Sequence, residues 1–161
     1  MSSEPRVAVV GGSGAVGRTI LRLLRERAFP AESVTALASS RSAGTIVEGV
    51  EVNDIETADL TRFDLALFSA GSGVSEEWAP KFVEAGAVVV DNSSHWRMDP
   101  EVPLIVAEVN PDDIEGHSGI VANPNCSTMQ AMVVLKPILD RFGLDRVIFS
   151  TYQAVSGTGV K

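Results

Sequence analysis

Cysteine is nearly absent from this chain: Cys126 is the only one in 161 residues. A single thiol excludes an intrachain disulfide and a cysteine-rich zinc site, and it suits a reducing compartment. Basic runs are missing as well. Thirteen Lys and Arg stand against 21 Asp and Glu, for a net charge of −8 with no positive cluster, which argues against a nucleic-acid surface. The two histidines never fall at metal-ligand spacing with carboxylates, so no metal is expected. Long apolar runs are also lacking. The opening Met1–Arg6 is polar and the run behind it, Val7–Val10, is short, so neither a signal peptide nor a membrane span is expected and the chain reads as cytoplasmic.

What is present is an alternation of short apolar strands with helical patterns. Val7–Val10, Val34–Ala38, Leu65–Phe68, Ala87–Val90 and Gly119–Ala122 read as strands, with a weaker stretch from Ile46 to Ile55. Helical spacing runs from about Gly14 to Arg27, from about Ser75 to Ala85, and onward from Ser127 until Gly143. Strands apolar on both faces and joined through helices predict an α/β fold with a doubly wound, mostly parallel, Rossmann-type sheet. Residues 97–118, rich in Pro, Asp and Glu, read as a long ordered excursion. Val147–Val155 reads as a strand that opens a second domain. The expected division is a nucleotide-binding domain over 1–143 and the start of an incomplete α+β substrate and dimerisation domain over 144–161, so the chain reads as the front part of something longer.

Gly11-Gly12-Ser13-Gly14-Ala15-Val16-Gly17 joins the first strand to the first helix. In that setting Gly11 serves a tight turn, Gly14 lets a pyrophosphate approach the backbone, and Gly17 lets helix and sheet pack closely. Phosphate oxygens would take N–H groups from Ser13 to Val16, aided by the helix dipole. At the end of the second strand an NAD site wants an acid for the ribose hydroxyls. This chain has Ser39-Ser40-Arg41-Ser42 there, and a guanidinium with hydroxyl neighbours suits a 2′-phosphate, so the expected cofactor is NADP.

Three further polar groups fall at strand ends. Ser69-Ala70-Gly71-Ser72-Gly73 either lines a nicotinamide ribose or is simply a turn. In Asp91-Asn92-Ser93-Ser94-His95-Trp96-Arg97, Arg97 is either an anchor for a carboxylate or phosphate or a surface partner of Asp99 or Glu101. Cys126, in Ala122-Asn123-Pro124-Asn125-Cys126-Ser127-Thr128, sits where a strand gives way to a helix. Position alone leaves it either a packing residue or a reactive thiolate at a helix N-terminus. Neither His95 nor His117 is assigned as its base, since His117 falls before the strand, at the sheet edge opposite the thiol.

Taken in order along the chain, these motifs resemble the aspartate-β-semialdehyde dehydrogenase family, most closely its bacterial branch. The resemblance is carried by Gly11–Gly17, Ser39–Gly44, Phe68–Ser72, Val89–Arg97, Pro103–Asn110, Ala122–Thr128 and Tyr152–Gly159. It implies NADPH-dependent reduction of β-aspartyl phosphate to aspartate semialdehyde, with release of phosphate, in the biosynthesis of lysine and diaminopimelate, threonine and methionine. By the same resemblance Cys126 would carry the acyl thioester, Asn125 would border the oxyanion, Arg97 would bind phosphate and Gln153 the substrate. Ser13 to Val16, Arg41, Ser42, Ser156 and Gly157 would contact NADP. The family's acid/base histidine, its carboxylate-binding arginine and a further phosphate-binding lysine would lie beyond residue 161, along with most of a homodimer or homotetramer surface. An isolated 161-residue chain is therefore expected to be inactive. The rival readings are another acyl-thioester dehydrogenase, of the N-acetylglutamyl-phosphate reductase or glyceraldehyde-3-phosphate dehydrogenase kind, and a non-catalytic NADP-binding module.

Overall fold

The structure, a computed structural model, describes residues 4–152. Its strands are β1 (Arg6–Val10), β2 (Ser33–Ala38), β3 (Ile46–Val47), β4 (Val50–Asp54), β5 (Leu65–Phe68), β6 (Val88–Asp91) and β7 (Ile120–Ala122). Its helices are α1 (Ala15–Glu26), α2 (Ser72–Glu84) and α3 (Cys126–Phe142), with short 3-10 turns at Leu60–Arg62, His95–Met98 and Pro111–Gly116. The sheet order is β3-β4-β2-β1-β5-β6-β7, and every pairing is parallel except β3 with β4. Without β3 this is the doubly wound dinucleotide-binding order, with β2 and β5 leaving β1 on opposite sides. The crevice at that reversal is where such sheets take ligands.

Both faces of the central strands are apolar because both are covered. On one face Val7, Val9, Leu21, Ala36, Val47 and Val52 form a buried cluster beneath α1. On the other, Ala8, Val10, Leu37, Phe68 and Val89 pack beneath α2, whose Phe82 lies edge-on to Phe68 at 5.4 Å.

Three stretches differ in detail from the sequence reading. Helix α2 begins at Ser72 rather than Ser75, because Gly71 is extended as its N-cap and accepts hydrogen bonds from Val74 N and Ser75 N. The weak stretch Ile46–Ile55 is a hairpin: Glu48 (φ 51°) and Gly49 (φ 84°) form a two-residue turn of the kind that matches strand twist. The strand expected over Val147–Val155 is not formed in residues 147–152, which have no regular secondary structure. A strand needs a ladder partner, and Ile148, Phe149 and Tyr152 are exposed with no strand beside them.

The excursion at 97–118 is ordered, as expected. Ala122 N donates to Pro103 O and Ile105 N to Ala122 O, which lays Leu104 along the outer side of β7. Asn110 holds the bend, its Oδ1 accepting from Val106 N and its Nδ2 donating to Leu104 O. No helix among the described residues is long and apolar enough to cross a membrane.

Candidate active site

The glycine loop leaves β1 at the sheet reversal, and each glycine has a distinct neighbour. Gly11 has φ +81° and donates its N–H to Leu37 O at 2.8 Å; a Cβ there would lie 2.9 Å from Ala70 N. Gly14, the extended N-cap of α1, has only Gly11 O near its missing Cβ, at 3.3 Å. A Cβ on Gly17 would lie 2.2 Å from Gly11 O. Gly17 thus brings the helix against the loop, whereas the sequence reading gave it helix–sheet packing. The close approach to the sheet belongs to Gly12, whose Cβ would meet Ala36 Cβ at 2.9 Å.

Helix α1 has no side-chain cap and no acid in its first turn. A first helical turn has N–H groups without intrahelical acceptors and the positive end of the macrodipole. With Ala15 and Val16 exposed and Ser13 half-buried, this end fits the pyrophosphate of a dinucleotide. Arg18 Nε donates to Ser13 O at 3.1 Å and steadies the loop from the helix side.

Arg41 and Ser42 lie in the turn that follows β2. Thr45 Oγ1 donates to Ser42 O at 2.6 Å and Ser42 N to Ser39 O at 2.9 Å, so the turn is closed on itself. The Arg41 side chain is exposed, and it makes no ion pair among the described residues.

At the ends of β6 and β7 lie the thiol and the second arginine. Asn125 is the N-cap of α3, its Oδ1 accepting from Ser127 N at 3.0 Å. Cys126 is the first residue of that helix and is exposed among the described residues. An open hollow of about 280 Å³ lies beside it, lined by Asn125, Ser127, Thr128, Phe149 and Thr151. Arg97 makes no ion pair with Asp99 or Glu101. Its Nε donates to Asn123 O at 2.9 Å and its Nη2 to Asn92 O at 3.1 Å. The guanidinium therefore spans the two strand ends and rests on the same loop that carries Cys126.

Ser69–Gly71 lead from β5 into α2, whose first residues are Ser72 and Gly73, and Ser69 N donates to Val10 O beside the glycine loop. His117 precedes β7 and accepts Gly119 N at its Nδ1, on the far side of the strand from Cys126. His95 lies edge-on to Trp96, with Nδ1 3.9 Å from Glu76. Gln153, Ser156 and Gly157 lie outside the described residues.

The site thus gathers the loop of Gly11–Val16, the turn of Arg41–Ser42, Arg97 and the Asn125–Cys126 cap along one edge of the parallel sheet. Sequence reasoning missed two residues that build it. Asp91 and Ser93 are buried and hydrogen-bonded to each other, in the segment that leads to Arg97. An acid closing an apolar strand was the only visible signal.

The family of semialdehyde dehydrogenase NAD-binding domains matches this chain over residues 6–117. An aspartate-semialdehyde dehydrogenase of Aquifex aeolicus (strain VF5) is 54% identical over 163 residues, covering 97% of this chain and 48% of the relative. The crystal structure of aspartate semialdehyde dehydrogenase II from Vibrio cholerae superposes with a TM-score of 0.92 at 48% identity, over 97% of this chain and 48% of that one. The aspartate semialdehyde dehydrogenase of Candida albicans, solved with NADP, gives a TM-score of 0.73 at 28% identity, over 88% of this chain and 48% of that one. This chain spans about half the length of the relatives it matches.

Proposed function

The chain belongs to the semialdehyde dehydrogenase family, and from that premise we propose that it is the nucleotide-binding, nucleophile-bearing part of an NADPH-dependent aspartate-semialdehyde dehydrogenase. The reaction is the reductive dephosphorylation of β-aspartyl phosphate to aspartate β-semialdehyde, in a reducing cytoplasm, which a lone free thiol suits. The observation that carries this reading is the shared loop at the end of β7: Arg97 is bonded to Asn123 O, and Cys126 opens the helix three residues later. A nucleophile and a phosphate anchor tied to the same loop, beside a dinucleotide loop, are the parts that an acyl-phosphate reductase needs.

In this mechanism the Cys126 thiolate attacks the acyl carbon, forming the S–C bond. The C–O bond to phosphate breaks, and phosphate leaves with the bonding pair and a proton from solvent. Arg97 has spent two N–H donors on carbonyls and turns the remainder of its fork to the departing phosphate. Asn125 Oδ1 is held by Ser127, which leaves its amide nitrogen to donate to the carbonyl oxygen. NADPH, when bound, would supply a hydride to the thioester carbon, for which Cys126 is the leaving group. The C–S bond then breaks and Cys126 returns as thiolate.

Ser13 to Val16 would cradle the pyrophosphate, and Arg41 with Ser42 would take the 2′-phosphate and so favour NADP over NAD. The resemblance adds Gln153 at the substrate and Ser156 with Gly157 at the cofactor. We assign the nucleotide domain to 1–143 and the opening of the substrate domain to 144, a reading that the end of α3 at Gly143 (φ +76°) supports.

The complete gene product is expected to reduce NADP+ when given aspartate semialdehyde and inorganic phosphate. Cys126→Ser is expected to lower kcat by about 10³-fold or more with the fold unchanged. Retained turnover in that variant overturns the thioester reading.

A further inference from the structure

Asp91 ends β6 with a fully buried carboxylate that makes no ion pair among the described residues. Its two oxygens are both taken by one residue. Ser93 N donates to Oδ1 at 3.1 Å and the Ser93 hydroxyl donates to Oδ2 at 2.6 Å. Because that hydroxyl proton goes to the carboxylate, Ser93 Oγ is left as an acceptor, and it takes the N–H of His95 at 3.1 Å. His95 is the first residue of the 3-10 turn that carries Arg97. The main chain of Asp91 is engaged too, its carbonyl accepting Asn123 N at 2.8 Å.

A carboxylate taken out of water is costly to keep, and turn formation alone is served equally well by exposed Asx or Ser side chains. Here the direction of each hydrogen bond matters. An acceptor-only group at 91 fixes the Ser93 hydroxyl as donor and so presents its lone pair to the turn. An amide at 91 keeps the bond to Ser93 N but offers N–H groups to the hydroxyl, so Ser93 Oγ must accept twice and its own proton loses the partner that orients it. Both carbonyls that hold Arg97 lie on segments bonded to Asp91: Asn92 follows it directly, and Asn123 donates to it.

We propose that Asp91 is a positioning residue for Arg97: its buried carboxylate, acting through Ser93 Oγ, sets the turn so that the guanidinium lies fixed between Asn92 O and Asn123 O with its free donors on the substrate's phosphate. This rests on the reading of Arg97 as the phosphate anchor.

The test uses the complete gene product, assayed for semialdehyde oxidation with inorganic phosphate as the varied substrate. A parallel measurement follows protection of Cys126 by phosphate against iodoacetamide, read at that residue by mass spectrometry. Asp91→Asn is expected to raise the KM for phosphate, and the phosphate concentration that half-protects Cys126, by about tenfold, while the KM for NADP stays unchanged. Ser93→Ala interrupts the same relay and is expected to do the same, so the test survives if Asp91→Asn fails to fold. In an Arg97→Ala background, Asp91→Asn is expected to add nothing further.

If Arg97→Ala raises the KM for phosphate but Asp91→Asn and Ser93→Ala lower only thermal stability, the positioning role is overturned and the anchor reading stands. If the effects of Asp91→Asn and Arg97→Ala multiply, the positioning role is likewise overturned. If Arg97→Ala leaves the KM for phosphate unchanged, the anchor reading falls and takes the proposal with it.

Discussion

Arg41 stands at the end of β2 where an NAD-binding domain needs an acid, and its guanidinium is exposed and without an ion pair among the described residues. A charge-assisted pair with a 2′-phosphate is worth about 1.5–3 kcal/mol, or about ten- to a hundredfold in affinity. Arg41→Ala in the complete gene product is expected to raise the KM for NADPH by about tenfold and to leave that for NADH unchanged; equal effects on both cofactors, measured by steady-state kinetics, exclude the assignment. Residue types of this kind are legible in sequence because their chemistry belongs to the side chain. Contacts are less so. The spacing of Gly11, Gly14 and Gly17 was readable, yet only the folded backbone shows that Gly17 meets Gly11 O and that Gly12 passes over Ala36. Asp91 opens a polar run visible in the sequence, but nothing in a one-dimensional pattern tells a buried acid at a strand end from a solvated one.

Between elements, the clearest electrostatic tie joins the starts of β1 and β5. Arg6 Nε and Nη2 donate to Asp64 Oδ2 and Oδ1, at 2.9 and 2.8 Å, and Arg6 N also donates to Oδ2 at 2.8 Å. The Arg6 side-chain hydrogen bonds and then its backbone N–H hold the Asp64 carboxyl at about 2, below its ordinary 3.8. Between those two values the unfolded chain binds the proton more readily than the folded one. The tie therefore stabilises fully above pH 3.8 and is lost as pH falls through about 2. Asp64→Asn is expected to lower Tm at pH 7, with the gap from the unchanged protein closing as melts are taken down towards pH 2. A gap independent of pH rules out the ion pair as its source. Strand and helix identities were legible from hydrophobic period, and the boundaries that moved did so for local reasons. Gly71 opened α2 early, and a turn with two positive φ values split Ile46–Ile55 into two strands. At 147–152 composition alone suggested a strand, but the sheet provides no neighbour there.

For the molecule as a whole, the sheet order and the gathering of the loops on one edge followed from strand–helix alternation, because right-handed crossovers leave few alternatives. What lay beyond sequence is how little covers α3, none of whose residues is buried. Phe142 and Ile148 stay 77% and 82% exposed. The 161-residue chain by itself is expected to bind NADPH, seen by fluorescence titration, and to show no turnover in the same buffer, since neither His95 nor His117 bonds to Cys126; family-like turnover in that assay refutes this. The two flanks of the sheet carry a separate consequence. A free strand edge is a template on which other chains pair and aggregate. Here one flank is the two-residue β3, folded back on β4, and the other has Leu104 laid against β7. Both flanks are blunted against recruiting foreign strands.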